Sequence, residues 1–355
     1  MNNLNLLDIC DYVVRRTASV ENYISTENML PNKGGICTPS NIPCGTAIEY
    51  KVGDILISNI RPYFQKIWQA NCDGACSADV LCIRSKNNVD SRYLYYMLSQ
   101  QAFFDYVMSG AKGCKMPRGD KKQIMQWKIS LPSLEEQRKI ANILSSIDEK
   151  IEVNRRINDN LEQQAQALYK QWFVDNCNES WNKRKLSDFF NVITGKKDAN
   201  YSTDNGEFPF FTCSQDILKA PNYSFDGAAI LLAGNGDFNV KRYIGRFEAY
   251  QRTYVLIPFD QRYHSFLYLT IKYYLQEITG GSRGSVIKFI TKGNIADFEI
   301  SIPNDDISNK LEILDSLYAN IDINTKENKN LAILRDTLLP RLMSGELSVD
   351  DVLVD

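Results

Sequence analysis

The sequence predicts an α+β protein in which one unit is written twice, each copy a mixed α/β module followed by a long helix. Three observations lead there: internal similarity at a near-constant offset, short apolar runs punctuated by Gly, Asn and Pro, and two long stretches with coiled-coil spacing. Leu6-Leu7-Asp8 matches Leu186-Ser187-Asp188 at an offset of 180, and Gly110-Ala111-Lys112-Gly113 matches Gly281-Ser282-Arg283-Gly284 at 171. Ile129-Ser130-Leu131-Pro132 matches Ile300-Ser301-Ile302-Pro303 at that same 171, and Val153-Asn154 and Asn160-Leu161 match Ile323-Asn324 and Asn330-Leu331 at 170. The matches keep their order, so the chain is a tandem duplication whose second copy has lost loop-sized segments. The expected boundaries are 1–132 for the first module, 133–176 for a central long helix, 177–303 for the second module, and 304–355 for a C-terminal long helix and tail.

Within the modules, Asp54-Ile55-Leu56-Ile57, Val80-Leu81-Cys82-Ile83, Ala229-Ile230-Leu231-Leu232 and Tyr254-Val255-Leu256-Ile257 are predicted strands. Ser91 to Val107 and Ser265 to Ile278 are predicted helices, and their Tyr and Phe residues are spaced as core. Ser133-Leu134-Glu135-Glu136 fits a capping box, after which no Gly or Pro occurs until past Asp175. Apolar residues at Ile140, Leu144, Ile147, Ile151, Leu161, Ala165, Leu168 and Trp172 step by four and three, the seam of a coiled coil. Around 40 residues at 1.5 Å each make a rod of roughly 60 Å. Leu314, Leu317, Ile321, Leu331, Leu338 and Leu342 repeat the seam in the second copy. Asn154 and Asn158, and Asn324 and Asn328, interrupt it in the middle. Buried asparagines penalise slipped registers, and their pairing admits either parallel or antiparallel helices.

Composition bounds the function. The 355 residues carry 41 Lys and Arg against 43 Asp and Glu, a net charge of −2, so positive charge for any nucleic acid must be local. No run of about 18 apolar residues exists, so no membrane partner is expected. The N-terminus lacks the pattern of an export signal, and a cytoplasmic location is expected. Nine scattered cysteines without a CxxC pair point to free thiols rather than metal, and no cofactor is expected. The only histidine, His264, has no designated catalytic partner.

Two similar heads on two similar helices allow pseudo-twofold symmetry, a device for reading two DNA half-sites. Divergence between the heads then predicts unlike half-sites. If the helices run antiparallel, they set the spacing of those half-sites, and a heptad inserted near Asn158 is expected to lengthen the unread gap.

Leu131-Pro132-Ser133-Leu134-Glu135-Glu136-Gln137-Arg138-Lys139-Ile140-Ala141, continuing through Ile147-Asp148 to Leu161, resembles the central conserved helix of type I restriction-modification specificity subunits. Asp54 to Pro62 and Leu338 to Leu347 are similar to further family segments, and the likeness extends over essentially the whole chain. The resemblance implies two target-recognition domains and an antiparallel coiled coil. It also implies double-stranded DNA as ligand, two methyltransferase subunits docked on the helices, and restriction subunits that join through them. It implies no catalytic residue on this chain.

Candidate DNA contacts follow from residue chemistry. Lys112, Lys115, Arg118, Lys121 and Lys122 crowd a glycine-opened stretch opposed only by Asp120. The second copy offers Gly280, Gly281, Ser282, Arg283, Gly284 and Lys288. Asn59 and Arg61 follow a predicted strand, as do Asn235, Asn239, Lys241 and Arg242, while Gln251 and Arg252 enter another. Arg, Asn and Gln pair with guanine and adenine edges, and Lys and Arg with phosphates. The alternatives are a stand-alone methyltransferase or nuclease, or an assembly scaffold that does not bind DNA. Gly234-Asn235-Gly236-Asp237-Phe238 lacks the context of a cofactor loop, and neither an Asn-Pro-Pro-aromatic motif nor a Walker lysine motif is present.

Overall fold

The computed structural model describes residues 3–39, 42, 45–280 and 288–352. The chain forms two compact units, Met1–Val153 with Glu327–Asp355, and Asn154–Lys326. Each unit is therefore a mixed module together with part of both long helices.

In the first unit, an antiparallel sheet runs Cys10–Tyr12, Val80–Ser85, Ile55–Ser58, Ile67–Gln69 in spatial order. Ile55–Ser58 has neighbours on both sides and is buried along its whole length, which accounts for its unbroken apolar start. A smaller sheet joins Arg16–Thr17, Ala47–Tyr50 and Gly74–Cys76. The expected helix from Ser91 is two helices, Ser91–Leu98 and Gln101–Ser109. The Asp90 carboxylate caps the first by accepting the amides of Arg92 and Tyr93. Tyr93, Leu94, Phe103 and Phe104 share a core with Ile140 and Leu144 of the central helix and with Leu339 and Leu342 of the C-terminal helix.

The second unit has a six-stranded sheet in the order Phe190–Thr194, Thr253–Pro258, Phe225–Ala233, Val240–Ala249, Phe208–Phe211, Ile217–Ala220. Only the pairing of Phe208–Phe211 with Val240–Ala249 is parallel. Helices His264–Tyr273 and Leu275–Gly280 complete the module, broken at the position equivalent to the break in the first.

The duplication is visible in the hydrogen-bond register, not only in the letters. Asn3 pairs with Ser130 in the first unit and Lys183 with Ser301 in the second, the same offsets of 180 and 171 found in the sequence. Asp11 opposite Arg84 becomes Asn191 opposite Ile257, and Ile55 opposite Ile83 becomes Ile230 opposite Leu256. Backbone bonds outside the strands repeat as well: the Leu6 amide donates to the Trp127 carbonyl, and the Leu186 amide to the Phe298 carbonyl. Divergence concentrates in the smaller sheet elements, which pair differently in the two units.

The central helix spans Leu134–Lys170 and ends in a wider turn at Gln171–Asp175; the C-terminal helix spans Ser308–Ser344. The Ser133 hydroxyl accepts the Glu136 amide at 3.3 Å, the serine half of the expected capping box. Within the first unit, Arg335 bonds Asp148 at 2.7 Å and the Asn328 amide reaches the Ile151 carbonyl at 3.4 Å. Within the second, Asn324 donates to Asn158 Oδ1 at 2.9 Å, and Lys310 lies over the Phe173 ring. In each unit the numbering rises on one helix as it falls on the other, so the helices pack antiparallel.

Ile147, Ile151 and Asn154 are buried in this packing, and Asn158, Leu161, Leu317, Ile321, Asn324, Asn328 and Leu331 are half-buried. Further along, Ala165, Tyr169 and Phe173 are buried, while the expected Leu168 and Trp172 are half-buried beside them. Steps of four replace the alternation of four and three because this part of the helix lies on the broad core of its module, alongside Phe266 and Leu314. No helix among the described residues is long and apolar enough to cross a membrane.

Candidate nucleic-acid interface

The strand Ile55–Ser58 runs out into Asn59, Ile60 and Arg61, and the basic stretch of the first unit folds onto that exit. Lys112 and Arg118 bond each other's backbone in both directions at 2.9 Å, closing a hairpin over 113–117. Gly113 turns it with φ of +98°, a conformation that costs glycine little. The Arg61 amide donates to the Pro117 carbonyl at 2.8 Å, and the Gly119 amide to the Asn59 carbonyl. A side chain at residue 119 would meet the side chains of Val107, Asn59 and Ile124 within 3.0 Å and displace them, so glycine suits this close approach.

Cations surround the junction. Lys115 is exposed near the hairpin tip; Lys112 pairs with Asp120 at 3.1 Å and Arg118 with Asp79 at 3.2 Å. The Lys112 ammonium, helped by the Gln123 and Lys122 amides, holds the Asp120 carboxyl below its ordinary range. Lys121 and Lys122 open the short helix Lys121–Ile124 that Asp120 caps. Asn59 is buried, and its Oδ1 and the Nε of Arg61 have no hydrogen-bond partner among the described residues.

The second unit builds the same junction from different side chains. Gly236 donates to the Lys288 carbonyl, Ile290 to the Gly234 carbonyl, and Asn235 bridges Phe289. By register, Gly236 stands where Arg61 does, Lys288 where Pro117 does, and Phe289 where Arg118 does. Arg252 adjoins the turn through its carbonyl, which accepts the Gly234 amide. Asn239 is buried and donates to the Cys213 and Asp237 carbonyls. Lys241 reaches the Ser214 carbonyl and Asn239, and burial lowers its pKa. Gln251 bonds Asp198. Arg242 points elsewhere: it forms a two-bond pair with Asp322 of the C-terminal helix at 2.8 and 3.0 Å, lies over the Tyr318 ring, and leaves 11% of its side chain exposed. Arg283, with Gly281, Ser282 and Gly284, lies outside the described residues.

The structure thus gathers Asn59, Arg61, Lys112, Lys115 and Arg118 at one junction, and Asn235, Lys288 and Arg252 at its equivalent. The exposed Tyr63 and Phe64 beside Arg61 are not among the residues that the sequence singled out, which were chosen for charge and for amide groups. Their signal was Pro62, which announces a turn at the end of a strand. Among the described residues, no group of three or more His, Cys, Asp or Glu side chains is placed to hold a metal.

The duplicated α+β fold with antiparallel helices is one that solved specificity subunits share. The chain belongs to the family whose model is described as the type I restriction modification DNA specificity domain, matched over residues 15–163 and 178–332. Its curated relatives are named as specificity subunits of type I restriction enzymes. The chain is 37% identical to the EcoDI specificity subunit of Escherichia coli over 174 residues, 47% of this chain and 39% of that one. It is 23% identical to the HindI specificity subunit of Haemophilus influenzae over 435 residues, covering 92% of this chain and 94% of that one. The S subunit of a type I restriction-modification system from M. genitalium has the same fold, with a TM-score of 0.56 at 18% identity over 96% of both chains.

Proposed function

We propose that this chain reads an asymmetric, two-part sequence in double-stranded DNA, one half-site per unit, for a type I restriction-modification complex. The observation that supports the reading is the junction itself. The same backbone bonds recur in both units, but the positions held by Arg61, Pro117 and Arg118 in one are held by Gly236, Lys288 and Phe289 in the other. Conserved geometry with exchanged side chains is what two related readers of unlike sequences require.

The long helices are the docking surface for methyltransferase subunits, two in number, through which restriction subunits join. Val153, Ile333 and Leu334 in the first unit and Ile157 and Ile323 in the second are large apolar residues left exposed on these helices. Such residues suit helix-on-helix association with a partner.

The test is to map methylated bases in a host that carries the methyltransferase subunits, with and without this chain. A two-part motif that appears only with the chain is expected; its absence would overturn the reading. The pure chain incubated with DNA, magnesium and S-adenosylmethionine is expected to turn over nothing.

A further inference from the structure

The segment that follows Arg61 has an unusual construction. Pro62–Phe64 is a single tight helical turn, with Arg61 before it and Gln65 after it both left-handed at φ of +50°. It is braced from behind by Asn32 and Lys33, whose amides donate to the Phe64 and Gln65 carbonyls at 2.8 and 3.0 Å. Asn32 and Lys33 are themselves left-handed, at +54° and +60°. Four of the five non-glycine residues with positive φ among the described residues therefore meet at this one place. Backbone in this state persists only where surrounding structure imposes it, and it gathers at functional sites.

The strained turn displays two aromatic rings. Pro62 is buried beneath, while Tyr63 and Phe64 are 48% and 37% exposed with ring centroids 4.7 Å apart. The turn adjoins the basic hairpin, since the Arg61 amide is bonded to Pro117 and Ile60 bridges Arg118. Two exposed apolar rings thus stand beside a basic hairpin in which Lys112 and Arg118 are paired with Asp120 and Asp79, while Arg61 and Lys115 add positive charge. The combination suits DNA: phosphates for the cations, and for the rings an apolar group among the base edges. Double-stranded DNA offers one such group in its major groove, the thymine 5-methyl.

We infer that Tyr63 and Phe64 form an apolar contact to a thymine methyl group in the half-site read by the first unit. This rests on the DNA-reading proposal above and assigns a specificity-determining pair within it. The bracing fixes the backbone from which both rings project, which lowers the cost of ordering that contact.

The experiment uses the full chain assembled with its methyltransferase subunits and duplexes carrying thymine or uracil at each position of the mapped motif. With the unaltered chain, uracil at one thymine of the first half-site is expected to weaken binding about tenfold. Tyr63→Ala with Phe64→Ala is expected to abolish that sensitivity and relax the motif at that position, leaving the second half-site unchanged. The conservative pair Tyr63→Phe with Phe64→Leu should retain it, and a thermal melt shows whether each variant folds. Equal binding of thymine and uracil duplexes at every position by the unaltered chain would overturn the inference. So would a double-alanine variant that folds and keeps an unchanged motif, or one that loses only subunit assembly. If no two-part motif exists at all, the DNA-reading proposal fails first, and with it the pair.

Discussion

Arg335 of the C-terminal helix donates to the Asp148 carboxylate of the central helix at 2.7 Å, and the other oxygen of that carboxylate accepts the Tyr96 hydroxyl at 2.8 Å. Arg335 also pairs with Asp336, which Lys33 of the module approaches at 3.4 Å. One small network thus fastens both helices to the first module. Arg335 and Asp148 are only 16% and 29% exposed, so removing one partner strands a half-desolvated charge. Asp148→Ala is expected to destabilise the chain by about 2–3 kcal/mol, and a double-mutant cycle with Arg335→Ala to show coupling of about 1 kcal/mol or more. Urea titration followed by circular dichroism measures both.

The Asn158–Asn324 pair predicts a trade between stability and register. Asn324→Ala removes the 2.9 Å bond and should cost about 1 kcal/mol. Replacing both by leucine is expected to raise stability by about 1–2 kcal/mol while admitting slipped pairings. Disulfide trapping between cysteines placed in native and shifted registers would show the slip, and a single trapped register in the double leucine variant would contradict it.

His264 predicts a pH dependence. The ring is buried against the Ala229 carbonyl, and burial lowers its pKa from the ordinary 6.5. The unfolded chain therefore takes up a proton before the folded one does. The stability that the neutral ring confers is complete above about pH 6.5 and is lost as the pH falls towards the folded pKa, at up to about 1.4 kcal/mol per pH unit. His264→Gln should flatten the stability profile between pH 7 and 5.5. As the only histidine, its proton resonance can be followed alone and is expected to titrate below 6.5.

Two cations of the candidate set should behave in opposite ways. Lys115→Ala is expected to weaken DNA binding similarly on all sequences and to lower the salt slope by about one, with the melting temperature unchanged. Arg242→Ala removes the pair with Asp322 and the contact with Tyr318, so its effect should fall on the melting temperature instead. A salt slope that changes with Arg242 and not with Lys115 would reverse this assignment.

Much of the fold was legible because repetition and periodicity are one-dimensional properties. The offsets of 180 and 171 between Leu6, Ser130 and their counterparts reappear as hydrogen-bond register, since a duplicated chain repeats its backbone pairing wherever core residues are kept. The strand at Ile55 and the helix after Ser133 followed from local pattern and capping. Less legible was the seam beyond Ala165, where Tyr169 and Phe173 are buried ahead of Leu168 and Trp172. Which face of a helix is covered there depends on a module folded from residues a hundred positions away.

The candidate interface divides in the same manner. Residue type alone singled out Arg61, Lys115 and Arg118 as able to contact DNA, and equally Arg242, which the fold commits to Asp322. Pro62 marks a turn there, but that Tyr63 and Phe64 are held outward depends on backbone bonds from Asn32 and Lys33, which no local pattern shows. By itself, then, the sequence determined the duplication, the class of each element and the chemistry available. The antiparallel helix direction, which the asparagine pattern left open and the family resemblance implied, is seen in the packing. Only the tertiary structure decided which polar side chains stay available, because long-range pairing satisfies some of those groups internally and leaves others facing solvent.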